Sequence, residues 1–166
     1  MKHCERVANL AYKLSDSLNL PNIITKNIYF SALIHDIGKS NLNQDILNKP
    51  GKLNEEERKH IEKHSYFSYL KALKLGYSQD IALNVLYHHE DYNGTGYPKR
   101  LRGNNIPLGA RIIRICDVFD ALTSNRVYRK ALSIQEAMNI INDEKEKFDP
   151  NIYCKFIKIY KGEKII

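Results

Sequence analysis

Helical periodicity runs through nearly all of this 166-residue chain and is the strongest constraint on its fold. The apolar residues between Val7 and Leu18 fall on one face of a helix. Pro21 begins a second helix, which Gly38 is expected to end. No segment shows convincing alternation of apolar and polar residues, the pattern typical of strands. The sequence therefore predicts an all-α fold.

Helix start signals continue along the rest of the chain. Asn54 with Glu57 forms a capping-box pattern and predicts a third helix, which ends at Gly76. Further helices are predicted to begin at Ser78, Pro107, Ser133 and Asp149-Pro150. Residues 40–53 are expected to form a loop or a short turn. We expect one domain, residues 1–166, folded as a single compact bundle of about seven helices.

The composition is ordinary for a globular protein, with no targeting or membrane segment visible. No apolar run approaches the roughly 20 residues that span a bilayer, and no apolar leader follows Met1. Cys4, Cys116 and Cys154 lack metal-ligand spacing, and their odd number without a disulfide pattern indicates the reducing cytoplasm. Cys116 lies in an apolar run, which predicts core packing.

Histidine and aspartate residues recur where helices are predicted, and imidazoles and carboxylates in this number suit two neighbouring divalent cations. The positions are His35-Asp36, His88-His89, Asp117 and one of His60 and His64, which lie one helical turn apart. Asp36 has two oxygens and suits a bridging role. Each pair taken singly is more readily explained by an ordinary helix end.

Asp117 is the most informative single residue, because it interrupts an apolar helix. An unpaired buried carboxylate costs several kcal/mol, so Asp117 requires an arginine or a metal ion. Asp120 lies near the same face and is interpreted as support for the site. The net charge is +7, and one concentration of basic residues follows the long loop 91–105 and flanks Asp117. These residues are Lys99, Arg100, Arg102, Arg111, Arg114, Arg126, Arg129 and Lys130. A basic balance is compatible with a nucleic acid, an anionic membrane surface or a phosphorylated small molecule, and this concentration indicates a polyanionic substrate near the metals. We expect no nucleic acid polymer as a partner.

Three motifs resemble the HD-GYP family, a branch of the HD-domain metal phosphohydrolases. They are the run from His35 to Lys39, the run from His88 through Gly94-Thr95-Gly96-Tyr97-Pro98, and Ile106-Pro107-Leu108 with the run from Asp117 to Thr123. The resemblance extends from His3 to about Phe156. It implies an all-helical HD-type domain with two or three metal ions, usually iron or manganese. It also implies hydrolysis of cyclic di-GMP to linear pGpG or to GMP by a hydroxide that the metals share.

The resemblance also implies roles for individual residues. It selects His64 over His60 as a metal ligand. The seven ligands that it implies are His3, His35, Asp36, His64, His88, His89 and Asp117. Asp36 and Lys39 would act in catalysis, with Lys39 on the scissile phosphate. Arg126 matches a phosphate-binding arginine, and Arg129 takes the place of another basic residue. Gly96-Tyr97-Pro98 would lie at the substrate mouth, where Tyr97 can stack on a guanine, and would be a contact for diguanylate cyclase domains.

The chain departs from the family pattern at its beginning. Members with a third metal carry a glutamate one turn before the first ligand histidine, and no such position precedes His3 here. Two ions are therefore expected, unless a truncation removed that residue, and His3 is expected to be the least secure ligand. Two other functions stay open: hydrolysis of another cyclic dinucleotide, nucleotide or phosphate monoester, and a non-catalytic binding or docking module.

Overall fold

The computed structural model describes residues 2–125 and 130–161, and these contain α-helices and 3₁₀ turns but no strand. The α-helices are α1 (His3–Ser17), α2 (Asn22–Ile34), α3 (Gln44–Leu47), α4 (Glu55–Lys74), α5 (Gln79–Leu86), α6 (Leu108–Thr123), α7 (Ile134–Asp143) and α8 (Pro150–Lys161). The 3₁₀ turns are Ile37–Asn41, Gly103–Asn105 and Lys145–Lys147. The all-α prediction is confirmed. Seven helices match the predicted ones, and α3 is a single turn inside the segment expected to be a loop or short turn.

The predicted capping boxes form at the starts of α4 and α7. Asn54 Oδ1 accepts a hydrogen bond from the Glu57 amide at 2.8 Å, and the Glu57 carboxylate accepts one from the Asn54 amide at 2.9 Å. Ser133 and Glu136 make the same exchange at 3.2 and 2.8 Å. These bonds satisfy amides that have no partner within the helix. They therefore fix where α4 begins, and α4 carries His64.

The core lies where α1, α2, α6, α7 and α8 meet. It includes Val7, Ala11, Leu14, Ile28, Ile112, Ile115, Cys116, Ile141, Ile152 and Phe156, each at most 2% exposed. Full burial of a large apolar side chain contributes about 1.5–3 kcal/mol. Cys116 packs in this core, as its apolar context predicts. A smaller cluster joins α2, α4 and α5, and two of its members, Ile34 and Val85, lie just before His35 and His88.

The second helix ends earlier than the sequence indicates, and Gly38 is a packing residue and not a helix cap. The helix stops at Ile34, and a 3₁₀ turn begins at Ile37. A Cβ on Gly38 would collide with the His64 carbonyl and the Ser68 amide of α4. The Gly38 amide itself donates to Ser68 Oγ at 2.8 Å. This close approach brings the turn that carries Asp36 against the middle of α4.

Within the described ranges, none of the helices combines the length and the apolar character needed to cross a membrane.

Candidate metal centre

Seven side chains from five parts of the chain converge at one place, and they are the seven predicted ligands. His3 is the first residue of α1, Asp117 lies inside α6, and His64 lies inside α4. His35 and Asp36 follow α2, and His88-His89 follows α5, so both pairs lie just beyond helices and not within them. Among these seven, donor atoms within 4.8 Å of one another form two groups, which are Asp36, His64, His88 and His89, and His3, His35 and Asp117.

Asp36 stands between the two groups. Its Oδ1 lies 3.4 Å from His64 Nε2 in the first group. Its Oδ2 lies 3.4 Å from His35 Nε2 and 3.7 Å from His3 Nε2 in the second. Asp117 Oδ1 completes the second group at 3.2 Å from His3 Nε2. The two Asp36 oxygens therefore face different sets of donors, as a carboxylate shared by two cations must.

The imidazole rings are held by hydrogen bonds on the side away from the centre. A carbonyl oxygen only accepts, so a ring Nδ1 bonded to one must carry a proton, and in the neutral ring Nε2 then has a free lone pair. Three rings donate in this way to the carbonyl three residues earlier: His35 to Ala32 at 2.6 Å, His64 to Ile61 at 2.7 Å and His88 to Val85 at 2.6 Å. All three Nε2 atoms can thus act as ligands in the neutral ring. For His35, however, burial is outweighed by Asp36, which holds the pKa of that ring well above its usual value, so His35 must first lose a proton.

Several of the inward atoms are buried without a partner among the described residues. These are His35 Nε2, His88 Nε2 and Asp36 Oδ1, and both histidines are 0% exposed. A buried polar atom without a partner costs about 1–3 kcal/mol. Nitrogen and carboxylate oxygen donors are ligands for divalent transition metals. The donor set therefore fits two such ions, which would satisfy the orphaned atoms.

Burial keeps the first group of histidines neutral. It lowers the pKa of His88 to about 3, and it lowers the pKa values of His64 and His89 below the usual range. A neutral imidazole is the form that binds metals. These three rings consequently offer lone pairs at neutral pH without first losing a proton.

The second group is dominated by its carboxylates. Hydrogen bonds to Asp117 and Asp120 raise the pKa of His3 to about 9. Burial opposes the charge of Asp117, but the His3 hydrogen bond and the nearby His35 hold the pKa of this carboxyl far below its usual range. The group thus concentrates negative charge in a buried position. A bound cation would stabilise this negative charge, just as a proton on His3 does.

Asp120 holds His3 from behind. Its Oδ2 accepts from His3 Nδ1 at 2.7 Å, and Arg6 binds both of its oxygens at 2.6 and 3.0 Å. Asp120 is 3% exposed, so its carboxylate is shielded from water. The supporting role inferred for Asp120 agrees with this geometry. His3 is fixed by α6 although it lies near the beginning of the chain.

Lys39 and Tyr97 lie at the rim of the centre. Lys39 Nζ is 2.6 Å from Asp36 Oδ2, with 39% of its side chain exposed. The Tyr97 ring packs on the His89 ring with centroids 4.7 Å apart. A Cβ on Gly96 would collide with the backbone of the His89–Asp91 segment, so only glycine lets the loop approach so closely. Arg126 and Arg129 lie outside the described residues, and their phosphate-binding roles stay predictions.

The structure adds residues that the sequence pattern did not reveal. Cys4 Sγ lies within 4.8 Å of donor atoms of His35 and Asp36, although the cysteines have no metal-ligand spacing. A cavity beside His89 brings in Arg58 and Glu62 of α4. In the sequence, only the position of Cys4 next to His3, and of Arg58 and Glu62 near His64, could have suggested these residues. Their neighbours come from distant parts of the chain, which spacing within one segment does not reveal.

Comparison with known proteins identifies the family. The sequence model described as "HD domain" matches residues 1–152 of this chain. The chain belongs to the HD domain family. This HD domain is 42% identical over 144 residues to 3'3'-cGAMP-specific phosphodiesterase 1 of Vibrio cholerae, a match that covers 86% of this chain and 33% of that protein. It is 36% identical over 157 residues to a cyclic di-GMP phosphodiesterase of Pseudomonas aeruginosa, covering 94% of this chain and 38% of that protein. The chain thus spans about a third of the length of these relatives.

Solved structures share the architecture of this HD domain. It superposes on the crystal structure of a cyclic GMP-AMP specific phosphodiesterase of Vibrio cholerae with a TM-score of 0.78 and 20% identity, over 97% of this chain and 44% of the other. An HD-GYP type protein of Bdellovibrio bacteriovorus gives a TM-score of 0.75 with 26% identity, over 96% of this chain and 52% of the other. The predicted HD-type fold and the HD-GYP resemblance are confirmed.

Proposed function

We propose that this HD domain is a metal-dependent phosphodiesterase that hydrolyses cyclic dinucleotides, with cyclic di-GMP as its substrate. The observation that carries the proposal is the position of Asp36, whose two oxygens face two separate groups of donors. Two-metal centres of this kind cleave phosphate esters. The names of the relatives, which are phosphodiesterases of cyclic di-GMP and 3'3'-cGAMP, support the substrate class.

The residues present divide into two ligand sets for divalent ions, with iron or manganese expected. One set is His64, His88, His89 and Asp36 Oδ1, and the other is His3, His35, Asp117 and Asp36 Oδ2. When bound, such ions supply positive charge to the phosphoryl oxygens and lower the pKa of water at the centre. The protein's own part is to hold these donors in fixed orientation and to keep the inner ones dry.

Lys39 and Tyr97 prepare the centre for the substrate. The Lys39 ammonium lies on Asp36 and is partly exposed, so it can contact a phosphoryl oxygen and stabilise the negative charge that develops there. The Tyr97 ring covers His89, shields that part of the centre from water and offers an aromatic face to a base. Arg126 and Arg129 are proposed to bind the second phosphate.

The test is a substrate panel on anaerobically purified protein whose metal content is first measured by elemental analysis. Cyclic di-GMP, 3'3'-cGAMP, cyclic di-AMP and a phosphate monoester are compared by product chromatography, which also separates pGpG from GMP. We expect about two metal ions per chain and hydrolysis of cyclic dinucleotides but not of the monoester. Bound metal without turnover would favour the non-catalytic module, and preferred hydrolysis of the monoester would contradict the diesterase assignment.

Three further properties stay predictions. The Gly96-Tyr97-Pro98 loop is proposed to contact a diguanylate cyclase domain, and Pro98 at its tip is exposed. Residues 1–166 are proposed to act as one domain. The reducing cytoplasm remains the expected location, and this expectation rests on cysteine usage.

A further inference from the structure

A cavity of about 350 Å³ adjoins the metal centre. It lies between α4, α6 and the loop that contains Gly96 and Tyr97. Its walls include Leu53, Arg58, Ile61, Glu62, His89 and Tyr97. Because His89 belongs to the centre as well, a ligand whose phosphate occupies the centre can extend directly into this cavity. Its size lies at the lower end of the range for small-molecule sites.

Two charged side chains in the cavity wall differ from the others in having no charged partner among the described residues. Glu62 and Arg58 lie one turn apart on α4, and neither forms an ion pair or side-chain hydrogen bond within residues 2–125 and 130–161. The other charged pair in the wall is already satisfied, since Arg114 binds Asp91 at 2.8 Å. Asp91 accepts a second bond from Thr95 Oγ1 at 3.0 Å. Glu62 and Arg58 are therefore the wall charges that remain for a ligand.

A guanine matches these two groups. Its N1–H and N2–H₂ donors are adjacent, and a carboxylate such as Glu62 can accept from both. Its O6 and N7 acceptors bind an arginine in bidentate fashion, which suits Arg58. Adenine presents an acceptor at N1 and a donor at N6, so it would place a lone pair against Glu62. The cavity also supplies apolar contacts from Leu53 and Ile61 and the aromatic ring of Tyr97, which suit the faces of a base.

We propose that Glu62 and Arg58 form a guanine-recognition site that selects guanine-containing cyclic dinucleotides over cyclic di-AMP. The proposal rests on the proposed function, because it assumes that a cyclic dinucleotide phosphate occupies the metal centre. Glu62 acts in two ways. It accepts hydrogen bonds from guanine, and it repels the adenine N1 lone pair. Selection by a polar group that the wrong base leaves unpaired is stronger than selection by shape.

The test replaces Glu62 with glutamine, which keeps its size but presents one N–H₂ donor to the donors of guanine. The ratio of kcat/KM for cyclic di-GMP to kcat/KM for cyclic di-AMP is measured for the parent, Glu62→Gln and the control Glu56→Gln. Glu56 lies on the same helix, is exposed and is not part of the cavity wall. We expect the ratio to fall about 10- to 100-fold in Glu62→Gln and to be unchanged in Glu56→Gln. Metal content should be the same in all three proteins.

A second measurement separates this site from the hydrolytic activity. Binding of the non-hydrolysable phosphorothioate analogues of cyclic di-GMP and cyclic di-AMP is measured by calorimetry on the metal-loaded proteins. If the parent binds the guanine analogue more tightly and Glu62→Gln abolishes this preference, the site is supported, even when no hydrolysis is found. Absence of hydrolysis would contradict only the proposed function. Equal binding of both analogues, or a preference that Glu62→Gln leaves intact, would overturn the assignment.

Discussion

His64 Nε2 and His89 Nε2 lie 3.2 Å apart. Because His64 donates its Nδ1 proton to the Ile61 carbonyl, its Nε2 presents a lone pair to His89. In the metal-free protein His89 must donate across this gap, whereas a cation bound to both nitrogens removes the need for that proton. The low pKa values of both rings exclude a double positive charge at neutral pH. We therefore propose that the pair shares a metal ion and not a proton.

Asp36→Asn should remove metal and activity together. Asparagine keeps the shape of the side chain but has one oxygen, so it cannot serve both groups of donors. Loss of a residue that only hydrogen-bonds to a metal ligand costs about 10- to 100-fold in metal affinity or activity. Because Asp36 is itself a proposed ligand, we expect kcat/KM to fall by more than about 100-fold. Elemental analysis and turnover of cyclic di-GMP measure the two effects. The control is Asp16→Asn, an exposed residue of α1. Full metal content with unchanged turnover in Asp36→Asn would exclude the bridging role.

Asp120→Asn should weaken metal binding by acting on His3. The carboxylate accepts from His3 Nδ1, and asparagine accepts less strongly and no longer attracts Arg6. Because such outer partners orient their ligands, metal affinity should fall by about 10- to 100-fold while the protein stays folded. A cobalt titration followed by absorbance measures the affinity, and circular dichroism checks the fold. Affinity equal to that of the parent would show that Asp120 only stabilises α1 against α6.

Lys39→Met should lower kcat and leave the metals in place. Methionine keeps much of the side-chain length but carries no charge, so the charge developing on the phosphate loses one stabilising partner. Loss of one such group typically costs about 100- to 1000-fold in kcat. Metal content separates this effect from loss of a ligand, and Lys52→Met, at an exposed position, is the control. A rise in KM with constant kcat would instead make Lys39 a ground-state binding residue.

The sequence predicted the helices and the candidate ligands well, because caps and apolar periodicity are local signals. It could not choose between His60 and His64 by spacing, since both lie on one face of α4. The structure places His64 in the centre, while His60 Nε2 accepts from the Asn43 amide at 3.0 Å. What decides between them is the contact of α4 with Gly38, which depends on tertiary packing. The family resemblance supplied this choice where residue spacing did not.

Residues that meet only through packing were not predictable from spacing. Cys4 reaches His35 from another helix, and Glu62 faces a cavity closed by the loop that carries Tyr97. The end of α2 was placed wrongly for a related reason. A glycine after an apolar helix is typical of a helix end, but a glycine at a close helix contact looks the same in sequence.

The start of α4 should make stability sensitive to acid through Glu57. The Lys49 side chain and the Asn54 amide lower the pKa of the Glu57 carboxyl below its unfolded value of 4.5. A carboxyl with a lowered folded pKa contributes stability that is fully present above the unfolded pKa and is lost as pH falls through the folded one. The melting temperature of the parent should therefore fall below pH 4.5 more steeply than that of Glu57→Gln. Glu56→Gln, which alters an exposed residue of the same turn, should keep the slope of the parent. If the melting temperatures of all three proteins fall in parallel with pH, Glu57 does not contribute to the acid sensitivity of stability.

Gly38→Ala should destabilise the protein and disturb the metal centre together. The new methyl group would meet the backbone of α4 at His64 and Ser68, which cannot move aside as a side chain can. Overpacking of this kind costs about 1–3 kcal/mol, and a shift of the turn would move Asp36 away from His64. Urea denaturation measures the free energy of unfolding, and metal titration measures the site. Gly51→Ala is the comparison, because Gly51 has a φ of +102° but nothing within 4 Å of its Cβ position. It therefore shows the cost of backbone strain alone, and metal affinity should stay unchanged. If both variants lose stability equally and retain metal, the close contact of Gly38 with α4 does not position Asp36.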